Sequence, residues 1–206
     1  LNMKRTIRTL GFILLLCFAF AGCSSISSEG DSSSPSQTVY SSLTQEQQQE
    51  LDEYAISFAE TFDVPFDSTD VLDQELIGQF SFWKIYEETG ETNAEGICPI
   101  PKEKLRTYIQ THFGISEYGY PGALPEYDTQ TQSYLFYPLG EGSLVTASIA
   151  QVEDVGEDMV CYTMEMSKES MSPNENPEES KAWTSTYRFR LLEMADSYIL
   201  QAISAK

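Results

Sequence analysis

His112 is the side chain with the widest chemical scope in this sequence, because it is the sole histidine among 206 residues. A single imidazole excludes metal sites that are built from several histidines. It leaves any serine or cysteine nucleophile with one imidazole base, so a catalytic pair with Cys98 or Cys161 stays open. The spacing from Leu105 and Tyr108 nevertheless places His112 on the apolar face of a predicted helix, which is typical of a packed residue at the edge of a core.

Carboxylates are the most abundant chemical groups, since the chain has 32 acidic residues against 12 basic ones. Four of them surround one turn and could supply oxygen ligands to calcium: Glu153, Asp154, Glu157 and Asp158. Their spacing differs from that of an EF-hand, so a solvated turn is the favoured interpretation. The Gly-x-Gly of residues 140–142 joins two predicted strands, which favours a hairpin turn over a phosphate-binding loop. The sequence predicts neither a metal site nor a cofactor.

A tyrosine-rich segment is the best candidate for a binding surface. Its members are Tyr118, Tyr120, Tyr127, Tyr134 and Tyr137. Tyrosine combines a broad apolar face with a polar tip, which suits it to binding a sugar, a peptide or a partner protein. The alternative is that these rings cover the open end of the predicted sheet. No residue is assigned a catalytic role.

The first residues have the features of a targeting signal rather than of a folded domain. Residues 1–22 contain a basic start and a short apolar run, as secretory signal peptides do. The run ends in Phe20-Ala21-Gly22-Cys23, which resembles the lipobox of bacterial lipoproteins. The resemblance implies cleavage before Cys23 and attachment of a diacylglyceryl group to its thiol, so that acyl chains anchor the protein in the membrane. The serine-rich chain that follows predicts a flexible tether over residues 23–43.

Cys98 and Cys161 remain in the folded part of the chain once the signal peptide and the lipidated cysteine are set aside. Outside the cytoplasm these two thiols could form a disulfide. Their spacing does not distinguish a disulfide from two separate buried thiols.

Hydrophobic periodicity predicts three helices ahead of the strands. The first helix follows a capping-box pattern from Thr44 to Gln47 and ends before Pro65. The second starts within residues 67–69 and ends at Gly90, and the third extends from Pro101 to Gly114. Strands are predicted over residues 134–139, 144–152, 159–166, 183–191 and 198–203, where apolar residues alternate between turn signals.

Short connections between successive strands predict an antiparallel meander. Residues 44–206 are therefore expected to form one α+β domain, with about three N-terminal helices packed on one face of a four- to five-stranded sheet. This order, which closes on a hairpin of residues 183–192 and 198–203, resembles the cystatin-like (nuclear-transport-factor-2-like) superfold. It is also similar to uncharacterised lipoproteins of anaerobic Gram-positive bacteria, in which a segment like residues 100–114 precedes the strands. The superfold includes enzymes and binding modules, so the resemblance implies a fold and no particular activity.

The net charge of −20 makes the chain a poor candidate for binding nucleic acid, which requires clustered lysine and arginine. We expect a lipoprotein on the extracytoplasmic face of the cell membrane that acts as a non-enzymatic ligand- or partner-binding module. Its partner would be an envelope protein, a peptide or a glycan. The alternative is a small hydrolase or isomerase with a buried carboxylate in a pocket between helices and sheet. A deep pocket beside Trp83 or Trp183 would favour the enzyme, and a filled core would favour the binding module.

Overall fold

The computed structural model describes residues 39–138, 145–168, 181–195 and 197–206. The predicted signal peptide, Cys23 and the turn at residues 140–142 lie outside these residues. Three helices come first in the chain, namely α1 (Gln45–Thr61), α2 (Gln74–Thr89) and α3 (Lys102–Phe113). Within the described ranges, no helix combines the length and the hydropathy that crossing a bilayer requires. The three predicted N-terminal helices are therefore confirmed.

Side chains satisfy free backbone amides at the starts of α1 and α2. The capping box before α1 is confirmed, since Thr44 accepts the amide of Gln47 and the Gln47 side chain accepts the amide of Thr44. Helix α2 begins later than predicted because Asp73 accepts two amides of its first turn. The residues before it, Thr69–Val71, form a 3-10 turn instead.

In the described part of the chain, seven strands form two antiparallel sheets. The smaller sheet consists of β1 (Cys98–Pro101), β2 (Glu126–Asp128) and β3 (Ser133–Phe136), in the order β1-β3-β2. The larger sheet is a meander of β4 (Val145–Gly156), β5 (Met159–Lys168), β6 (Lys181–Glu193) and β7 (Tyr198–Ala205), in chain order. Its register places Tyr162 of β5 opposite Tyr187 of β6. The fold is therefore α+β, as predicted.

The prediction of a single sheet is wrong in one respect. The first predicted strand, β3, pairs with β1 and β2 rather than with the meander. Strands β1 and β2 were not predicted, because four and three residues are too few to show an alternating pattern. Pro99 and Pro101 in β1 further weaken that signal, since proline cannot donate to a strand ladder.

Aromatic rings from the helices and from the larger sheet form one buried cluster. Phe58 of α1 is fully buried and contacts Phe189 of β6 with ring centroids 5.3 Å apart. Phe80 of α2 joins the same cluster 5.9 Å from Phe58. On the other side of α2, Phe82 stacks on Phe136 of the smaller sheet at 5.7 Å. Because α2 is covered on two sides, more of its surface is buried than the single apolar stripe predicted from the sequence would cover.

Residues 39–43, here called the strap, lie against the domain just ahead of α1. The carboxylate of Asp154 in β4 accepts the backbone amides of Tyr40 at 2.6 Å and Ser41 at 3.1 Å. The Tyr40 hydroxyl donates to Asp52 of α1 at 2.7 Å, and the hydroxyl of Tyr162 donates to the same carboxylate. These residues fall within the range predicted as a flexible tether. The described chain is thus fixed to β4 and α1 from its first few residues.

Candidate functional site

The predicted tyrosine surface is partly assembled around α2. Tyr118 and Tyr134 are buried, Tyr120 and Tyr127 are partly buried, and Tyr137 is 52% exposed. The Tyr118 hydroxyl donates to the carbonyl of Gln74 at 2.5 Å, and that of Tyr120 donates to the carbonyl of Leu124. The Tyr134 hydroxyl also hydrogen-bonds to the backbone of Tyr120, so at least three of the five polar tips are used within the protein.

Ring contacts join three of these tyrosines through α2 and the smaller sheet. Phe82 of α2 lies 5.1 Å from Tyr120 and 5.2 Å from Tyr134, measured between ring centroids. Tyr127 lies 5.0 Å from Tyr134. Gly78 of α2 makes this close approach possible, because a Cβ atom there would overlap the Tyr118 hydroxyl and the Tyr120 ring. The rings thus cover α2 and β3, and Tyr137 is the most exposed of the five tyrosines.

A groove along α3 brings together a different set of polar groups. It has a volume of about 440 Å³ and opens to solvent. Residues of α3 at helical spacing and one residue from the last turn of α2 line it: Glu88, Glu103, Lys104, Thr107, Tyr108, Thr111 and His112. We call it the α2–α3 groove. Its size lies within the range of small-molecule sites in proteins.

His112 forms part of the groove and is neutral at pH 7. Its Nδ1–H donates to the carbonyl of Leu200 in β7 at 3.3 Å, which leaves Nε2 as an acceptor. Burial lowers the pKa of His112 to about 4, with a smaller contribution from the charge of Lys84. The side chain is only 9% exposed, so the prediction of a packed residue describes its burial correctly.

Two tyrosines accompany this imidazole. The ring of Tyr108 lies 4.1 Å from the ring of His112, and that of Tyr54 lies 5.0 Å from it. Burial raises the pKa of both tyrosines above the usual value of 10. The hydroxyl of Tyr54 is buried and has no hydrogen-bond partner among the described residues. The inner side of the groove is therefore aromatic and carries no charge at neutral pH.

The rim of the groove carries charges of both signs. Burial raises the pKa of Glu88 above its usual range, and the nearby Lys104 lowers it in part. The described residues contain two ion pairs, Lys84 with Glu87 at 2.9 Å and Arg106 with Glu103 at 3.3 Å. Glu88 and Lys104 belong to neither pair, so both are available to a charged ligand.

The structure does not bring together the residues of a nucleophilic site. Cys98 in β1 and Cys161 in β5 are free, buried thiols in different sheets. Among the described residues, no hydrogen bond joins either thiol to His112. Burial raises the pKa of the Cys98 thiol, which reduces its reactivity.

The acidic turn and the two tryptophans serve other contacts. Asp154 of the turn binds the strap, and within the described ranges no three His, Cys, Asp or Glu side chains are grouped to hold a metal ion. Trp83 packs against Phe136 with ring centroids 5.2 Å apart. Trp183 lines a separate depression with Asp63 and Lys168.

The sequence did not indicate the α2–α3 groove. Lys104, Thr107 and Thr111 share one helical face, but such a face is as often solvated as it is functional. Comparison with known proteins adds no assignment, since no protein family, no curated protein and no solved structure matches this chain.

Proposed function

We propose that this protein is a membrane-anchored, extracytoplasmic lipoprotein that acts as a non-enzymatic binding module, with the α2–α3 groove as its ligand site. One observation carries the proposal. An open groove with an uncharged aromatic inner side and unpaired rim charges lies on a domain whose interior is filled by aromatic rings. Groups that bind a ligand are present there, whereas a nucleophile and its base are not brought together in the described residues.

The alternative of a hydrolase or isomerase has less support. It requires a carboxyl group in a pocket between the helices and the larger sheet, where it could exchange protons with a substrate. That space is occupied by Phe58, Phe62 and Phe80. Glu88 is an exposed carboxylate at the rim of the groove, and Asp63 lies in the depression beside Trp183, so an acid–base mechanism would have to rest on one of these two carboxylates.

The filled interior also supports the helical layer of the proposed fold. We infer that the three helices cover one face of the larger sheet. Helix α1 reaches the sheet through Phe58, and α3 reaches it through the hydrogen bond from His112 to Leu200. Helix α2 joins the same aromatic cluster through Phe80.

The proposed location rests on the lipobox-like sequence that ends at Cys23. A lipid on this cysteine would anchor the protein at the outer face of the cell membrane and leave the groove accessible from outside. An envelope protein, a peptide or a glycan would then be the partner, and Tyr127 with Tyr137 would offer a second contact surface.

The anchor is tested by fractionation and mass spectrometry of the full chain expressed in a bacterium. We expect wild-type protein in the membrane fraction with a diacylglyceryl group on Cys23, and we expect Cys23→Ala to leave that fraction. An unmodified amino terminus or a membrane-bound Cys23→Ala variant would refute the anchor.

The groove is tested by capture of bound molecules from native membranes with the full chain. Thr107→Arg places a long side chain in the groove at an exposed position, so folding should be preserved. Thr92→Arg makes the same exchange at an exposed loop position and is the control. We expect Thr107→Arg to lose a partner that Thr92→Arg retains. Turnover of a small-molecule library that only Thr107→Arg abolishes would instead favour the enzyme.

A further inference from the structure

We propose that the α2–α3 groove binds a free α-amino acid, whose ammonium group pairs with Glu88 and whose carboxylate pairs with Lys104. The inference rests on the proposed function of the groove as a ligand site and specifies the chemical class of the ligand. It follows from the signs of the rim charges, from the character of the inner side and from the volume.

The rim charges are the first step. Glu88 is in the last turn of α2, and Lys104 is in the first turn of α3. Their side chains lie close enough for the charge of Lys104 to act on Glu88, but they form no ion pair with each other or with other described residues. Two opposite charges that line one groove without meeting suit a ligand that itself carries both charges.

The third charged residue that lines the groove, Glu103, is already paired. Glu103 holds Arg106 at 3.3 Å, and Glu87, beside Glu88 in the sequence, holds Lys84 at 2.9 Å. A ligand with a single charge would satisfy Glu88 or Lys104 and leave the other unpaired. Selection of zwitterions over singly charged molecules therefore follows from the arrangement.

The inner side and the volume define the rest of the ligand. Tyr108 and the neutral His112 present ring surface that an apolar or aromatic side chain can contact. Thr107 and Thr111 add hydroxyl groups that can donate to the ligand carboxylate or accept from its ammonium group. A volume of about 440 Å³ accommodates a single large amino acid.

Calorimetric titration of the full-length chain with three forms of one compound tests this inference. The probes are L-phenylalanine, N-acetyl-L-phenylalanine, which lacks the ammonium group, and L-phenylalaninamide, which lacks the carboxylate. For the wild type we expect saturable binding of L-phenylalanine, with each derivative bound about tenfold more weakly or worse, because each derivative loses one charge-assisted contact.

Each of two variants should lose a different one of these two preferences. Glu88→Gln should bind L-phenylalanine about tenfold more weakly than the wild type does. It should bind L-phenylalanine and the N-acetyl form equally well, but it should still bind the amide more weakly than L-phenylalanine. Lys104→Met should lose the discrimination against the amide and keep the one against the N-acetyl form. Glu95→Gln and Lys102→Met remove charges at exposed positions that do not line the groove, and both should bind like the wild type.

Three results would overturn the assignment. They are the absence of saturable binding of L-phenylalanine, equal binding of the three probes, and Glu88→Gln or Lys104→Met variants that keep the wild-type preferences. If amino acids fail to bind while Thr107→Arg still abolishes capture of a membrane partner, the ligand class is wrong and the binding function stands. If both experiments fail, the groove is not a ligand site.

Discussion

The imidazole of His112 lies 4.1 Å from the phenol ring of Tyr108, with an angle of 23° between the two planes. This near-parallel contact holds the only histidine of the chain against an apolar surface while its Nδ1–H donates to a carbonyl of the sheet. The residue that could have served as a base is thereby kept neutral and fixed. Its environment has consequences that can be measured.

The first prediction concerns the effect of pH on stability. Because the pKa of His112 falls from 6.5 in the unfolded chain to about 4 in the folded domain, only the unfolded chain takes up the proton between these values. His112 contributes nothing to the pH dependence of the unfolding free energy well above pH 6.5. As the pH falls, it lowers the unfolding free energy progressively, by at most about 3 kcal/mol below pH 4. Urea denaturation of the wild type and of His112→Gln over pH 4 to 7 measures it.

The carboxylates titrate in both proteins of this comparison, so the difference between the two curves isolates the histidine. We expect the wild type to lose stability relative to His112→Gln as pH falls from 6.5 to 4. A difference in unfolding free energy that stays constant over this range would show that His112 takes up a proton as readily in the folded domain as in the unfolded chain.

The second prediction concerns the hydroxyl of Tyr54. Since it is buried without a hydrogen-bond partner among the described residues, its removal in Tyr54→Phe should leave the unfolding free energy unchanged or raise it by up to about 1 kcal/mol. Tyr187→Phe is the matched control, because that hydroxyl donates to the carbonyl of Phe62 at 3.1 Å. The control should be destabilised by about 1 kcal/mol in urea denaturation. A larger loss of unfolding free energy for Tyr54→Phe than for Tyr187→Phe would contradict the inference that the Tyr54 hydroxyl has no hydrogen-bond partner.

The third prediction concerns the packing of tyrosines on α2. Gly78→Ala should lower the unfolding free energy by about 1–3 kcal/mol, because the new methyl group would overlap Tyr118 and Tyr120. Alanine is otherwise the better helix former, by about 1 kcal/mol. Gly119→Ala adds a methyl group where nothing lies within 4 Å and should be nearly neutral. Calorimetric melting of both variants, with near-ultraviolet circular dichroism of the tyrosines, distinguishes a local overlap from a tolerant surface.

The fourth prediction concerns the strap. Asp154→Ala removes the acceptor of the Tyr40 and Ser41 amides, so hydrogen exchange at these two amides should accelerate about tenfold or more. Amides in the middle of α1 should keep their wild-type exchange rates. Glu157→Gln, in the same turn, should leave the strap protected. Unchanged exchange at Tyr40 in Asp154→Ala would mean that the contacts of Tyr40 with Asp52 and Gln48 are sufficient to hold the strap.

Local signals in the sequence were sufficient for the helices and for the long strands. Thr44 and Gln47 mark the start of α1, and Gly114 marks the end of α3, because each residue satisfies a backbone requirement of a helix terminus. Strands of eight or more residues in the meander show their alternation. The three-residue β2 is too short to do so, and its pairing depends on distant partners.

In the candidate sites, too, some features follow from local sequence signals and others depend on residues that are distant in the sequence. Four of the five tyrosines come together, as their closeness in sequence suggested, but their depth of burial depends on Gly78 in a separate element. The groove could not be predicted, because Glu88 and Lys104 become neighbours only when the last turn of α2 lies beside the first turn of α3. The packing of the two amphipathic helices brings these two residues together, and no periodic pattern in a single sequence predicts how two helices pack.

The strap determines how the domain would respond to tension applied along the chain from its amino-terminal side. A pull on Val39 acts first on the two amides held by Asp154 and on the Tyr40 hydroxyl, before it reaches α1. Detachment of these five residues would lengthen the chain by roughly 17 Å at full extension while the aromatic interior stays packed. The domain would thus yield first at its margin, and the α2–α3 groove would keep its shape under load.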